Sequence, residues 1–285
     1  MSANWIVEPG KYGPRLVMHG PWSPLALGAV ESARIRELEL NYAKGWVGSD
    51  YSFLRQMPNL LGLELTDWNA VDVSAVNDLK FLRYLKVFTY CKTELLFLGL
   101  PLLEDCSLEW RPRAVSLFSH QGVKEVFINK CAEKDFTAMS KMISLESLSL
   151  ASPKIETLRG IETLRSLSFL GLYVARRLTS LDGIESLTGL VGLEVNDCPK
   201  VTNIAPLEAL RGLRRLQLCN DKDIDTFRPL SALTELEQVL FYESTNVQDG
   251  DLTPLKRLPR LKHVAFMERK HYSHRRSDFP VSGPT

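Results

Sequence analysis

The side chains best able to do chemistry in this 285-residue chain are few and poorly spaced for it. His263, His271 and His274, with Glu268, form the best metal set. His271 and His274 would share a face only on a helix, and Arg269, Lys270, Arg275 and Arg276 would repel a cation, so the segment reads as an exposed basic tail. Ser119 and His120 are adjacent, which sends their side chains to different sides of an extended chain and makes no nucleophile-base pair. Asp249 and Asp251 flank Gly250, but two carboxylates fall short of the roughly six to eight oxygens that calcium takes, and a turn is the better reading. No G-x-G-x-x-G, G-x-x-x-x-G-K-[ST] or G-x-S-x-G sequence occurs. The expectation is a chain with no cofactor, no metal and no catalytic role.

Composition sets further bounds. Net charge is +1 and 45% of residues are hydrophobic, enough for a core and too balanced for a general affinity for nucleic acid. Cys91, Cys106, Cys131, Cys198 and Cys219 contain no C-x-x-C pair and suggest no disulfide framework, which favours a reducing compartment. Pro14, Pro21 and Pro24 interrupt the stretch where a secretory leader would need its apolar run. The longest apolar segment, Leu95 to Leu103, is far shorter than a membrane span. A cytoplasmic protein with no membrane partner is expected.

What must hold any functional residues is a repeat. Leu145, Leu148, Leu150, then Leu167, Leu170, Leu172, then Leu190, Leu193, Val195 return at a period of about 22 residues. Eleven repeats can be placed, starting at Ile35, Leu60, Leu82, Leu103, Val123, Leu145, Leu167, Leu190, Leu213, Leu236 and Leu261. Each should give a short strand whose fourth position points inward, so that successive strands pair in parallel. Between strands the apolar residues come every third position, as in Leu178, Leu181, Ile184, Leu187 and Leu190. That spacing suits 3₁₀ turns, since an α-helix would drift off it. The fold class expected is an α/β solenoid: a leucine-rich repeat horseshoe with a concave parallel sheet and a convex face of 3₁₀ or short helices and loops. Residues 1–285 read as one domain: an N-terminal cap over 1–34, repeats over 35–267, and a C-terminal cap and basic tail over 268–285. In the cap, Arg15 to His19 could pair as a strand with the first repeat, and Tyr272 should close the last repeat before the tail frays.

Residues 145 to 261 resemble the internalin-type leucine-rich repeats. Glu37 to Trp46, Gly250 to Leu255 and Arg269 to His274 look similar to bacterial stand-alone leucine-rich repeat proteins that lack a catalytic domain. The resemblance implies a bacterial protein-recognition module. Where it implies an asparagine ladder beneath the convex turn, this chain has Cys131, Cys198 or Asp221.

The third, fifth and seventh positions of each repeat should face the open side of the sheet. In the first five repeats these include Glu37, Glu39, Glu64, Asp105, Glu109 and Glu125 against a single cation, Lys86, with Asp67 just beyond. Tyr84, Phe88 and Phe127 lie among them, followed by Phe169, Tyr173 and, further on, Tyr242. Rings ringed by charge are the composition of a protein-binding hot spot. The expectation is a scaffold for a basic protein partner on the concave face; nucleic acid would be opposed by the acids. A sharper version is an immunity or antidote protein that blocks the active cleft of a toxin. A rival is a ligand or enzyme pocket at the N-terminal cap near Trp5, Trp22, Trp46 and Trp68. The oligomeric state is not legible.

Overall fold

The computed structural model describes residues 4–280; the outermost parts of the two caps, residues 1–3 and 281–285, lie outside the described residues. The chain packs as two compact units, residues 1–128 and 129–285. The first contains strands β1 (Trp5–Pro9) and β2 (Pro14–Met18), helix α1 (Pro24–Ser32), and strands β3 (Glu37–Asn41), β4 (Gly62–Thr66), β5 (Tyr84–Phe88), β6 (Asp105–Glu109) and β7 (Glu125–Asn129), which runs to its boundary. The second contains β8 (Ser147–Ala151), β9 (Phe169–Tyr173), β10 (Gly192–Asn196), β11 (Arg215–Cys219), β12 (Asp223–Ile224), β13 (Gln238–Phe241), β14 (Asn246–Val247), the single helical turn α2 (Thr253–Lys256) and β15 (His263–Phe266). Each of the eleven repeats read from the sequence contributes one strand, and within each unit strands pair in parallel in the expected register: Leu38 with Leu63, Leu148 with Leu170, Leu193 with Leu216. The fourth-position residues from Leu38 to Val264 are all buried.

The period of three has a backbone cause. The Ile184 amide donates to the Leu181 carbonyl, Leu187 to Ile184 and Leu190 to Leu187, at 3.1, 2.9 and 2.9 Å. The same residues that bury their side chains thus pass a three-residue hydrogen bond along the connector, and Ile204, Leu207, Leu210 and Leu213 repeat the pattern. Short 3₁₀ turns such as Ile161–Thr163, Ile184–Ser186 and Ala205–Ala209 result. Gly160 opens one of them at φ 93°, where a Cβ would meet the Thr137 backbone at 2.6 Å. Only glycine fits there.

Beyond β9, β10, β11 and β13 the chain turns through a left-handed residue: Val174, Asp197 and Asn220 at φ 58° and Glu243 at φ 61°. Beneath that turn the expected asparagine ladder is replaced by a patchwork. Asp221 Oδ1 accepts from the Cys198 amide at 2.7 Å, and Thr245 Oγ1 accepts from the Asp221 amide at 3.0 Å. Ser152 Oγ donates to the Cys131 carbonyl at 2.8 Å, while Arg111 Nη1 donates to the Cys91 carbonyl at 3.0 Å. Buried backbone groups need partners, and these four repeats find one from whatever polar side chain occupies this site. Repeats nine and ten add a second short ladder there, β12 against β14.

At the N-terminal end β2 pairs in parallel with β3, as the Arg15 to His19 stretch suggested, and β1 folds back antiparallel on β2. At the other end the basic segment does not fray after Tyr272. The Tyr272 ring packs against Phe241 and Phe266, the Ser273 amide donates to the Gly250 carbonyl at 2.8 Å, and Phe279 is buried against Phe266. Apolar rings placed every few residues, with Arg269 reaching back to the Thr245 carbonyl at 3.1 Å, make residues 267–280 a continuation of the coil.

Candidate functional site

The open face of residues 1–128 differs from its sequence reading in its electrostatics. Glu37, Glu39 and Glu109, expected to point into solvent, are buried at 1%, 3% and 3% exposure. The cause at the first two is Arg15, which β2 places opposite Glu37 in register. Its Nε and Nη2 donate to Glu37 Oε2, and its Nη1 lies 3.0 Å from Glu64 and 3.8 Å from Glu39. The turn between β1 and β2 then covers Glu37, whose Oε1 accepts from the Tyr12 amide. With Glu8 at 4.0 Å, four carboxylates converge on one guanidinium, and the low local dielectric makes its pairing with the buried ones obligatory.

The counter-charge extends further than Lys86, which lies 3.3 Å from Glu64. Lys44 pairs with Glu39 at 2.9 Å and Lys11 with Asp105 at 3.0 Å. Four of the six carboxylates on this face, Glu37, Glu39, Glu64 and Asp105, therefore pair with four cations, three of which lie outside the strand positions that were read as the open face. Glu125 remains exposed, and Asp67 is buried as the acceptor of the Tyr51 hydroxyl rather than lying open.

The rings stand where the repeat placed them. Tyr84, Phe88 and Phe127 are half-buried on the face; Phe88 and Phe127 approach at 6.0 Å between centroids, with the Lys86 ammonium 5.8 Å from the Phe88 ring. Burial, then the nearby Glu64 and Asp105, push the Tyr84 phenol up, so it stays a neutral donor. In residues 129–285 Phe169, Tyr173 and Tyr242 are also half-buried. The Tyr173 hydroxyl donates to Glu194 at 2.6 Å, and burial with that bond raises its pKa. Gly171 makes room: a Cβ there would lie 2.5 Å from the Tyr173 hydroxyl.

The other candidates resolve locally. His120 is buried, with Nε2 on the Leu100 carbonyl and Nδ1 accepting from the Gly122 and Val123 amides, so both nitrogens are engaged with backbone. His271 bonds the Val247 carbonyl and His274 bonds Ser273. Asp249 and Asp251 each accept an amide two residues on, forming the expected turn. Trp46 is buried against Tyr51 and Phe53, Trp22 stacks on Phe53 at 4.1 Å, and Trp68 packs on Tyr90. One cavity in this unit, of about 310 Å³, lies between the end of α1 and the Met57 to Leu60 turn.

What sequence reasoning missed is Arg15. Its alternation with Leu16 in a stretch recognised as a strand was the available signal, because a parallel partner of β3 must set its outward residues beside Glu37 and Glu39.

These strands, buried leucines and 3₁₀ connectors make the chain a leucine-rich repeat protein by fold. It is similar to an internalin from Listeria monocytogenes, with 17% identity, TM-score 0.57, and 83% of this chain and 77% of that one covered. It is similar also to a leucine-rich repeat protein from Leptospira interrogans, with 16% identity, TM-score 0.55, and 87% and 72% covered. No family model matches the sequence, and no curated protein does. No helix among the described residues is long and apolar enough to cross a membrane.

Proposed function

We propose that the protein is a non-catalytic scaffold that binds a protein partner on the open face of its repeat strands. The observation that carries this reading is the row of half-buried rings, Tyr84, Phe88 and Phe127, on a face that the fold leaves uncovered in residues 1–128. Aromatic side chains lose little entropy when covered and bring large apolar area, so a row of them at solvent is a surface suited to an anchor. The fold it shares with other leucine-rich repeat proteins supports interaction in general.

The partner surface facing residues 1–128 is basic in this reading. With Arg15, Lys44, Lys86 and Lys11 already in place the excess of negative charge is small, and Glu125 is its most exposed member. Attraction should therefore tune the on-rate more than it sets affinity. A cytoplasmic location belongs to the same proposal and is supported by five buried thiols, none in a disulfide.

The test is affinity capture from the source cells at low and high salt, with wild type beside an E125K variant and a paired Y84A/F88A variant. The screening length shrinks from about 30 Å at 0.01 M to about 3 Å at 1 M, so a steered partner associates more slowly at high salt and with E125K. Loss of the rings should abolish capture. Capture that survives Y84A/F88A undiminished would remove the open face as the site.

A further inference from the structure

The open face of residues 129–285 has a different chemistry. Its third-position row runs ring, gap, cation: Phe169, Gly192 and Arg215 are register partners on β9, β10 and β11. Glu194, Gln217 and Leu240 form the neighbouring row. A Cβ on Gly192 would come within 2.9 Å of the Phe169 ring, so the ring leans into the space the glycine leaves. Between Phe169 and Leu240 there remains a depression of about 290 Å³, edged by Arg215, Gln217 and Gln238.

The charges around it are unequal. Glu194 is engaged by the Tyr173 hydroxyl. Arg215 is exposed and, among the described residues, has no carboxylate at ion-pair distance. The cation is thus left for something outside the chain, beside an apolar wall on either side.

Resting on the proposal that the open face binds protein, we infer that this depression docks an acidic, apolar segment of a protein partner. An aliphatic or aromatic side chain enters between Phe169 and Leu240, and a neighbouring Asp or Glu lies against Arg215. Enclosed small-molecule sites run from about 300 to 1,000 Å³, and a depression at the lower edge of that range on an open sheet has room for one anchoring side chain. Gln217 and Gln238 also line the depression, and their amides can both donate to and accept from a peptide backbone. An Arg guanidinium takes a carboxylate in two parallel bonds, which fixes the segment's position as well as its charge.

The test uses the whole protein. A random heptapeptide phage library is panned on it, and the consensus peptide, labelled with fluorescein, is titrated by anisotropy against wild type, R215E, R215Q and Y84A. The expected consensus joins an apolar residue to an Asp or Glu within two positions, with affinity about tenfold lower in R215E, intermediate in R215Q and unchanged in Y84A. Arg215 is exposed, so these variants should keep the wild-type melting temperature, which is measured alongside. A basic consensus, no enriched consensus, or an acidic peptide indifferent to R215E would overturn the inference. Binding lost in Y84A alone would overturn it while leaving the open-face proposal standing.

Discussion

Arg15 holds Glu37 from two nitrogens: Nε and Nη2 both donate to Oε2, at 3.0 and 2.8 Å, with the carboxylate only 1% exposed. The same guanidinium lies 3.0 Å from Glu64 and 3.8 Å from Glu39. The first strand of the coil is therefore tied to the two repeats after it through one cation. Removing one member of a buried charge cluster leaves the others without compensation and costs roughly 3–5 kcal/mol. R15A should lose that much in urea denaturation, and adding E37Q to it should recover part of the loss. A loss below about 1 kcal/mol would mean that water, rather than Arg15, balances these carboxylates.

A second buried acid is unbalanced in the opposite sense. Asp221 is fully buried, its Oδ2 has no hydrogen-bond partner, and burial raises its pKa to about 7, with Asp197 adding to the rise and the Cys198 amide opposing it. A carboxyl whose pKa is higher in the folded chain than in the unfolded one favours folding fully below the unfolded value, near pH 4, and loses that advantage as pH rises through about 7. D221N keeps an acceptor for Cys198 and offers a donor where Oδ2 lacks a partner. The variant should match wild type near pH 4 and exceed it by on the order of 1–3 kcal/mol at pH 8. Parallel stability curves for the two proteins from pH 4 to 8 would refute the account of this site.

Repeat stacking predicts its own energetics. Leu170 and Leu193 are buried neighbours in register on β9 and β10. Either one changed to alanine should cost roughly 2–5 kcal/mol, from lost transfer energy and the cavity left behind. Because they touch the same layer, the double variant should depart from additivity. Denaturation midpoints equal to wild type would contradict the register.

The strands and the connectors were legible because two periods act on different parts of each repeat. Leu148, Leu170 and Leu193 mark the inward strand position, and Ile184, Leu187 and Leu190 carry both the burial and the backbone bonds of the turn. The open-face rings followed from the same alternation. The charges did not, since Lys11, Arg15 and Lys44 reach Asp105, Glu37 and Glu39 from loops and from a hairpin that carry no repeat signal. Ladder chemistry was hidden for a related reason. Ser152, Asp221, Thr245 and Arg111 serve one structural need with four side-chain types, so no residue identity recurs to be counted.

The open face as docking surface is tested most directly by placing a photo-crosslinking amino acid at single positions and irradiating source cells. Phe127 and Tyr173 stand on the open face, whereas Leu98 and Val115 are exposed side chains on the connectors. Adducts of one discrete mass from positions 127 or 173, and none from 98 or 115, are the predicted result. Adducts from the connector positions alone would contradict it.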